Sequence, residues 1–189
     1  STGRSTGPHL HFEVRFKASA GLADLGAAWI YPGPQDPGPP DANGVDFTMQ
    51  VETLELRALR QSENALAVGK FLEGRVPKML HPGLASHPQH NLAMAQMKAC
   101  GPIFSFVLDG GRKQAMALLN ALELVDISNN IGDSRSLCCH PASTTHYSVS
   151  AEQREIMGVE EGMLRINIGL EDPQDLIDDL DQALLKVGL

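Results

Sequence analysis

The clearest hydrophobic pattern of the chain lies near its carboxyl end, where apolar side chains recur at helical spacing. The positions are Leu176, Ile177, Leu180, Ala183, Leu184 and Val187. Asp172 is a favoured N-cap, Pro173 suits the first helical position, and Asp175 can act as the acid of a capping box. The pattern predicts an amphipathic helix that begins after Asp172 and buries one face.

The segment before this helix, residues 163–170, alternates like a strand. Leu164, Ile166 and Ile168 fall on one side, and Arg165 and Asn167 fall on the other. If the apolar side packs on helices, the opposite side carries Arg165 and Asn167 into a cleft.

Similar patterns predict the remaining elements. Helices are expected over residues 50–73, 87–99 and 112–122, and strands over residues 103–108 and 124–128. A short apolar segment, residues 76–81, is stopped by a Pro-Gly pair. Helices that alternate with short strands predict an α/β fold (an α+β layer), with a small sheet covered by helices.

The amino-terminal residues follow a different pattern. Residues 31–40 contain five prolines and two glycines. Proline lacks a backbone donor and fixes φ, so this segment suits neither a helix nor an inner strand. We therefore expect an irregular, Pro-rich extension over residues 1–48 and a folded domain over residues 49–189.

Composition excludes several classes of function. A net charge of −8 argues against nucleic-acid binding. No apolar run approaches the roughly 20 residues that span a bilayer. Of the three cysteines, Cys138 and Cys139 are adjacent and poorly placed to bridge each other. We expect reduced thiols in a cytoplasmic protein.

Arg165 is the first candidate for chemistry. Burying a guanidinium in an apolar strand is unfavourable without an anionic partner. Its planar fork binds a carboxylate with two hydrogen bonds, which suits recognition of an anionic small molecule. A structural ion pair with Glu171 or another acid explains the residue equally well. Asn130 and Gly132 form a loop that could present donors to an anion, although ordinary turn chemistry is the simpler interpretation.

The histidines give weaker signals. His140 and His146 flank a polar Ser-Thr-Thr loop, for which local hydrogen bonding is a better explanation than a catalytic triad. The histidines within residues 81–90 are expected to be structural or exposed. His9 and His11 would share one side of a strand and could face one metal ion, but two ligands are too few for a site.

Six collinear motifs carry a family resemblance. They are Leu80-His-Pro-Gly-Leu84, Ser86-His-Pro88, Gly101 to Phe106, Asn130-Ile-Gly-Asp133, His140 to His146, and Gly162 to Asp172. From about Val51 to Leu189 the chain resembles the C-terminal domain of the pyridoxal-phosphate-dependent Cys/Met-metabolism (transsulfuration) enzymes, which have fold type I. The details are most similar to the O-succinylhomoserine sulfhydrylase branch and to cystathionine γ-synthase.

This resemblance implies roles for two residues. Arg165 falls on the arginine that clamps the substrate α-carboxylate, and Asn130 falls where several relatives carry a serine at that carboxylate. Family enzymes make homocysteine by replacing the γ-substituent of an activated homoserine with sulfide. They use pyridoxal 5'-phosphate, form tetramers and are cytosolic. An amino-acid carboxylate and a homo-oligomer or partner subunit are therefore the expected partners, with no nucleic acid and no membrane.

The resemblance also implies a missing part. In the family, the Schiff-base lysine, the aspartate at the pyridine nitrogen and the phosphate loop precede these motifs. The six lysines of this chain lie in no such context. We therefore expect a truncated or chimeric chain that is inactive alone.

Residues 3–14 resemble a motif of lysostaphin-type zinc endopeptidases, which cleave peptidoglycan. There His9 would act in catalysis and His11 would bind zinc. A fragment of such a peptidase is one alternative function. A non-catalytic module that self-associates through exposed apolar surface is another.

Overall fold

The computed structural model describes residues 53–189, in which five strands form one sheet. The helices are α1 (Leu54–Leu72), α2 (His90–Gln96), α3 (Gly111–Ala121), α4 (Ala151–Ile156) and α5 (Pro173–Lys186), with a 3₁₀ helix at Pro141–Ser143. The strands are β1 (Lys78–Leu80), β2 (Ile103–Val107), β3 (Asp126–Ile127), β4 (Leu137–Cys139) and β5 (Met163–Asn167). The predicted fold class, a small sheet covered by helices, is confirmed.

The sheet places β5 at its centre. The strand order is β1-β2-β5-β4-β3, and all neighbours are antiparallel except the parallel pair β3 and β4. In this register Arg165 lies between Ser105 on β2 and Cys139 on β4. The arginine predicted to lie in an apolar strand is therefore on the middle strand of the sheet.

One face of the sheet packs against α1, α3 and α5. Leu164, Ile166 and Ile168 are fully buried in this core, together with Phe104 and Phe106 of the neighbouring strand. Because side chains alternate along a strand, Arg165 and Asn167 point to the opposite face. The predicted division of β5 into two faces is confirmed.

The final helix begins as the sequence predicts. The Asp172 side chain accepts the N–H of Gln174 at 2.8 Å, and Pro173 is the first helical residue. Leu176, Leu180 and Leu184 are buried in the core. Capping and apolar spacing thus orient α5 so that the chain leaves β5 and folds back over the sheet.

Two predicted elements have the wrong bounds. The helix expected over residues 87–99 spans only His90–Gln96, because the N–H of Gln89 bonds to the imidazole of His87 in a preceding turn. The helix expected from residue 50 is described from Leu54 onward, and its predicted start lies outside the described residues. The strand expected over residues 124–128 spans only Asp126–Ile127 (β3). The N–H groups of residues 123–125 bond to the carboxylate of Asp179 instead of a neighbouring strand.

The predicted amino-terminal extension, residues 1–48, lies outside the described residues, and so do His9 and His11. Its boundary with the domain and its metal alternative stay predictions. Within residues 53–189, no helix combines the length and apolar character needed to cross a membrane.

His81 gives a pH-dependent stability. It is buried against Phe104, its Nδ1 accepts the N–H of Gly83, and its Nε2 lies 3.4 Å from the carbonyl of Gly101. Burial lowers the pKa of His81 from its ordinary value of 6.5, and the charge of His87 lowers it further, while the Gly101 contact opposes the shift. The unfolded chain therefore binds a proton at a higher pH than the folded chain, and this contribution to stability is lost as pH falls below 6.5.

We expect the melting temperature of the chain to fall between about pH 7.5 and pH 5.5, and the fall to be smaller in His81→Gln. His146→Gln, which changes a histidine outside the core, should keep the pH dependence of the unchanged chain. Equal slopes in all three proteins, measured by thermal unfolding, would contradict the assignment.

Candidate functional site

The guanidinium of Arg165 lies on the face of the sheet opposite the core helices and is half-buried. Its Nη2 donates to the backbone carbonyl of Asn129 at 2.8 Å. Within residues 53–189 it forms no ion pair with a carboxylate. The alternative of an ion pair with Glu171 is wrong, because Glu171 accepts the N–H and the hydroxyl of Ser136 at 2.6 and 2.9 Å. The charge of Arg165 is thus left without a carboxylate partner in the described part of the chain.

Asn167, two residues further along β5, is buried, and only one of its two side-chain polar atoms is hydrogen-bonded. Its Oδ1 accepts the N–H of Gly132 at 3.2 Å. Its Nδ2 has no hydrogen-bond partner. An unpaired amide nitrogen is therefore buried on the face of the sheet that carries Arg165.

The loop of residues 129–133 lies over these two side chains. Arg165 contacts Asn129, and Asn167 contacts Gly132. A third side chain, Gln61 of α1, donates to the carbonyl of Asp133 at 2.6 Å. Asn130 is exposed in this loop, and its own N–H donates to the hydroxyl of Ser128. The structure thus brings Arg165 and the loop that carries Asn130 together; their roles in binding stay predictions.

Polar side chains buried between α1 and the end of β5 hold this region in place. Asn64 donates to the carbonyls of Gly169 and Glu171 at 3.2 and 2.9 Å. The Ser136 hydroxyl accepts the N–H of Gly169 at 2.9 Å and donates to Glu171. Sequence reasoning missed Gln61 and Asn64. The signal that could have revealed them is their helical spacing with the buried Val68, which puts two amides on the core-facing side of α1.

His140 shapes the polar loop that follows β4, as predicted. Its Nε2 lies 2.8 Å from the carbonyl of Glu161 and must donate to it, so in the neutral imidazole its Nδ1 accepts the Ser143 hydroxyl at 2.7 Å. The Thr144 hydroxyl donates to the carbonyl of His140. A cleft of about 290 Å³ beside this loop is lined in part by Asn129 and Cys139. The cleft therefore adjoins the loop that contacts Arg165.

Comparison with known proteins decides the family. The sequence model for the family described as Cys/Met metabolism PLP-dependent enzyme matches residues 41–185, well over half of the chain. The chain belongs to this family. The resemblance inferred from the collinear motifs is confirmed, and the family depends on pyridoxal phosphate.

Individual members show the same likeness. Cystathionine gamma-lyase of Sus scrofa is 43% identical over 136 residues, and O-succinylhomoserine sulfhydrylase of Mycobacterium tuberculosis is 41% identical over 140 residues. Each alignment covers 71% of this chain and 34% of the relative. The structure of cystathionine gamma synthase from Xanthomonas oryzae pv. oryzae, in complex with aminoacrylate and cysteine, matches with a TM-score of 0.70 and 38% identity. It covers 74% of this chain and 36% of that protein, so the chain spans about one third of the length of these relatives.

The described residues of this family member do not fit the attachment of pyridoxal phosphate. A Schiff-base lysine needs a site that favours its neutral amine, such as a desolvated pocket. All five lysines within residues 53–189 are exposed. Lys78 pairs with Glu160 at 2.6 Å, and Lys186 pairs with Glu123 at 2.9 Å. Residues 53–189 therefore supply a part of the family's fold that does not itself anchor the cofactor.

The cysteines and histidines of the described residues form neither a metal site nor a nucleophilic site. No group of three His, Cys, Asp or Glu side chains within residues 53–189 is placed to hold a metal ion. Cys138 is buried in the core, and burial raises the pKa of its thiol. Burial also raises the pKa of the Cys100 thiol. Since a thiolate is the reactive form, neither residue is suited to nucleophilic chemistry at neutral pH.

Proposed function

We propose that residues 53–189 are the substrate-carboxylate-binding part of a pyridoxal-phosphate-dependent transsulfuration enzyme. In this proposal Arg165 binds the α-carboxylate of an amino acid, and Asn130 lies beside it. The proposed reaction replaces the succinyloxy group at Cγ of O-succinylhomoserine with hydrosulfide: a Cγ–S bond forms, the Cγ–O bond breaks, and the products are homocysteine and succinate. The likeness to O-succinylhomoserine sulfhydrylase and to cystathionine gamma-lyase supports the substrate class.

The observation that carries the proposal is the state of the Arg165 guanidinium. It is half-buried, and its contact is a neutral backbone carbonyl, that of Asn129. The bond to this carbonyl is charged on the donor side only, whereas a carboxylate adds an opposite charge and can accept two parallel hydrogen bonds from the planar guanidinium. A carboxylate that takes the place of this carbonyl therefore gains a stronger interaction than the one it displaces.

The rest of the chemistry lies outside these residues in our proposal. The cofactor supplies an electron sink when it is bound. Because the lysines of residues 53–189 do not fit its attachment, we propose that this part is inactive by itself. Assembly as a homo-oligomer or with a partner subunit, in the cytoplasm, belongs to the same proposal.

Titration of the ¹⁵N-labelled chain with L-homoserine, followed by NMR, tests the role of Arg165. We expect saturable shifts of the Arg165 side-chain Nε–H and of the Asn130 amide. L-homoserinamide, which lacks the carboxylate, should give none. Arg165→Gln should weaken homoserine binding by about 10-fold or more, the loss expected for a charged hydrogen-bond pair.

Arg135→Gln is the matched control, because Arg135 is an exposed arginine next to the loop and pairs with Asp126. It should bind L-homoserine like the unchanged chain. Equal shifts with the carboxylate and the carboxamide, or unchanged binding in Arg165→Gln, would refute the proposed function.

A further inference from the structure

The side-chain NH₂ group of Asn167, beside the proposed carboxylate site, lacks a hydrogen-bond partner. The exposed fraction of the residue is 2%, and its Nδ2 has no hydrogen bond. The amide cannot be turned over, because the N–H of Gly132 can only donate and therefore needs the oxygen at that position. The NH₂ group is thus the half that stays free.

A free donor at this depth requires an explanation. Most buried polar side-chain atoms in proteins are hydrogen-bonded, and an unpaired one destabilises the fold. The bond from Gly132 explains the oxygen of the amide but not its NH₂ group, which a side chain with acceptors alone would avoid. A partner that arrives with a ligand accounts for the retained amide.

The position of Asn167 indicates which ligand this is. Arg165 and Asn167 are two residues apart on β5, so their side chains leave the same face of the sheet. The loop of residues 129–133 covers both, through the contacts of Asn129 with Arg165 and of Gly132 with Asn167. A donor beside a guanidinium suits a group with two acceptor oxygens.

We propose that Nδ2 of Asn167 is a second donor to the substrate α-carboxylate, next to Arg165. The proposal rests on the proposed function. One carboxylate oxygen takes the place of the Asn129 carbonyl at the guanidinium. The loop is thereby released at one of its contacts, which opens the space above Asn167, and the second oxygen accepts from Nδ2.

The NMR titration with L-homoserine tests this directly. The side-chain NH₂ signals of Asn167, assigned by their absence in Asn167→Leu, should shift during the titration of the unchanged chain. A residue with only a structural role would keep its signals in place. Asn167→Leu should weaken homoserine binding by about tenfold, the size expected for one hydrogen bond to a charged group.

Two further variants separate the donor from the loop contact. Asn167→Asp keeps an acceptor for Gly132 but replaces the donor by a negative oxygen, so the Gly132 amide signal should stay in place while binding is weakened by about tenfold or more. Gln61→Leu removes a contact of the loop at Asp133 but no donor to the ligand, and we expect a loss of only about threefold. Melting temperatures confirm that each variant is folded.

The outcomes distinguish this inference from the proposed function. If the unchanged chain does not bind L-homoserine, the proposed function fails, and the donor role fails with it. If binding depends on Arg165 but the Asn167 signals do not move and both Asn167 variants bind normally, only the donor role is overturned. If Gln61→Leu weakens binding as much as Asn167→Leu, loop placement explains the effect and the donor role is likewise overturned.

Discussion

Replacing Gly169 with alanine is expected to destabilise the chain by about 3 kcal/mol or more. A Cβ at this position would overlap the backbone carbonyl oxygen of Ser134 and would lie 2.5 Å from the carbonyl carbon of Arg135. Backbone atoms cannot turn aside as the end of a side chain can. The segment would have to move away from β5, and the hydrogen bond from Leu170 to the Ser134 carbonyl would be lost.

Thermal unfolding of Gly169→Ala measures this effect. A loss of about 3 kcal/mol lowers the melting temperature by about 10 °C for a chain of this size. Gly158→Ala is the matched control, because Gly158 has a φ of +72° and nothing within 4 Å of a new Cβ. It should lose only about 1 kcal/mol through backbone strain. Similar melting temperatures for the two variants would show that the chain tolerates the overlap at Gly169.

Asp179→Ala is expected to reduce the free energy of unfolding by about 3–5 kcal/mol. The Asp179 carboxylate, on α5, accepts the backbone N–H groups of Glu123, Leu124 and Val125 at 2.8, 3.0 and 3.0 Å. It also accepts Nε2 of Gln182. Hydrogen bonds to a charged acceptor contribute about 1.5–3 kcal/mol each. Water can replace the partner at the exposed Glu123 and Leu124, but Val125 is buried, so the loss stays below the sum of three bonds.

Asp178→Ala provides the comparison, because Asp178 is the preceding residue on the same helix, is exposed and accepts a hydrogen bond from the side chain of Gln174. Its melting temperature should change by at most about 2 °C, against about 10–15 °C for Asp179→Ala. Asp179→Asn, which keeps one carbonyl oxygen, should fall between the two. A loss in Asp179→Ala no greater than that in Asp178→Ala would mean that water satisfies all three N–H groups.

Sequence patterns predicted the elements that bury a continuous apolar face. α5 and β5 are examples, because the spacing of Leu176, Leu180 and Leu184, and the alternation around Arg165, each fix one side of the element to the core. β4, by contrast, was not predicted. Its three residues, Leu137–Cys139, are all buried, so no alternation of apolar and polar positions marks them. α4 was missed because none of its residues is buried and its sequence carries no apolar stripe.

The candidate site was predicted in part. Arg165 and Asn130 were found because a charge in an apolar strand and a motif of the family are visible in the chain. Gln61 and Asn64 were not found, since a polar residue in a long helix is taken as solvent-exposed unless its spacing relative to the apolar residues, here Val68, is followed. Their partners lie 72 and 105 residues away in the sequence, at Asp133 and Gly169, and such pairings exist only in the folded chain.

The sequence by itself determined that Arg165 occupies an apolar strand followed by a capped helix, and that the chain carries the motifs of its family. Only the tertiary structure decided which group the guanidinium meets. Glu171 and the Asn129 carbonyl are both available acceptors in the sequence. In the folded chain Glu171 accepts hydrogen bonds from Ser136, and Arg165 donates to the neutral carbonyl of Asn129. The reason is that hydrogen bonds and ion pairs depend on distances of a few ångströms, which the packing of β4, β5 and the connecting loop sets and a linear pattern does not contain.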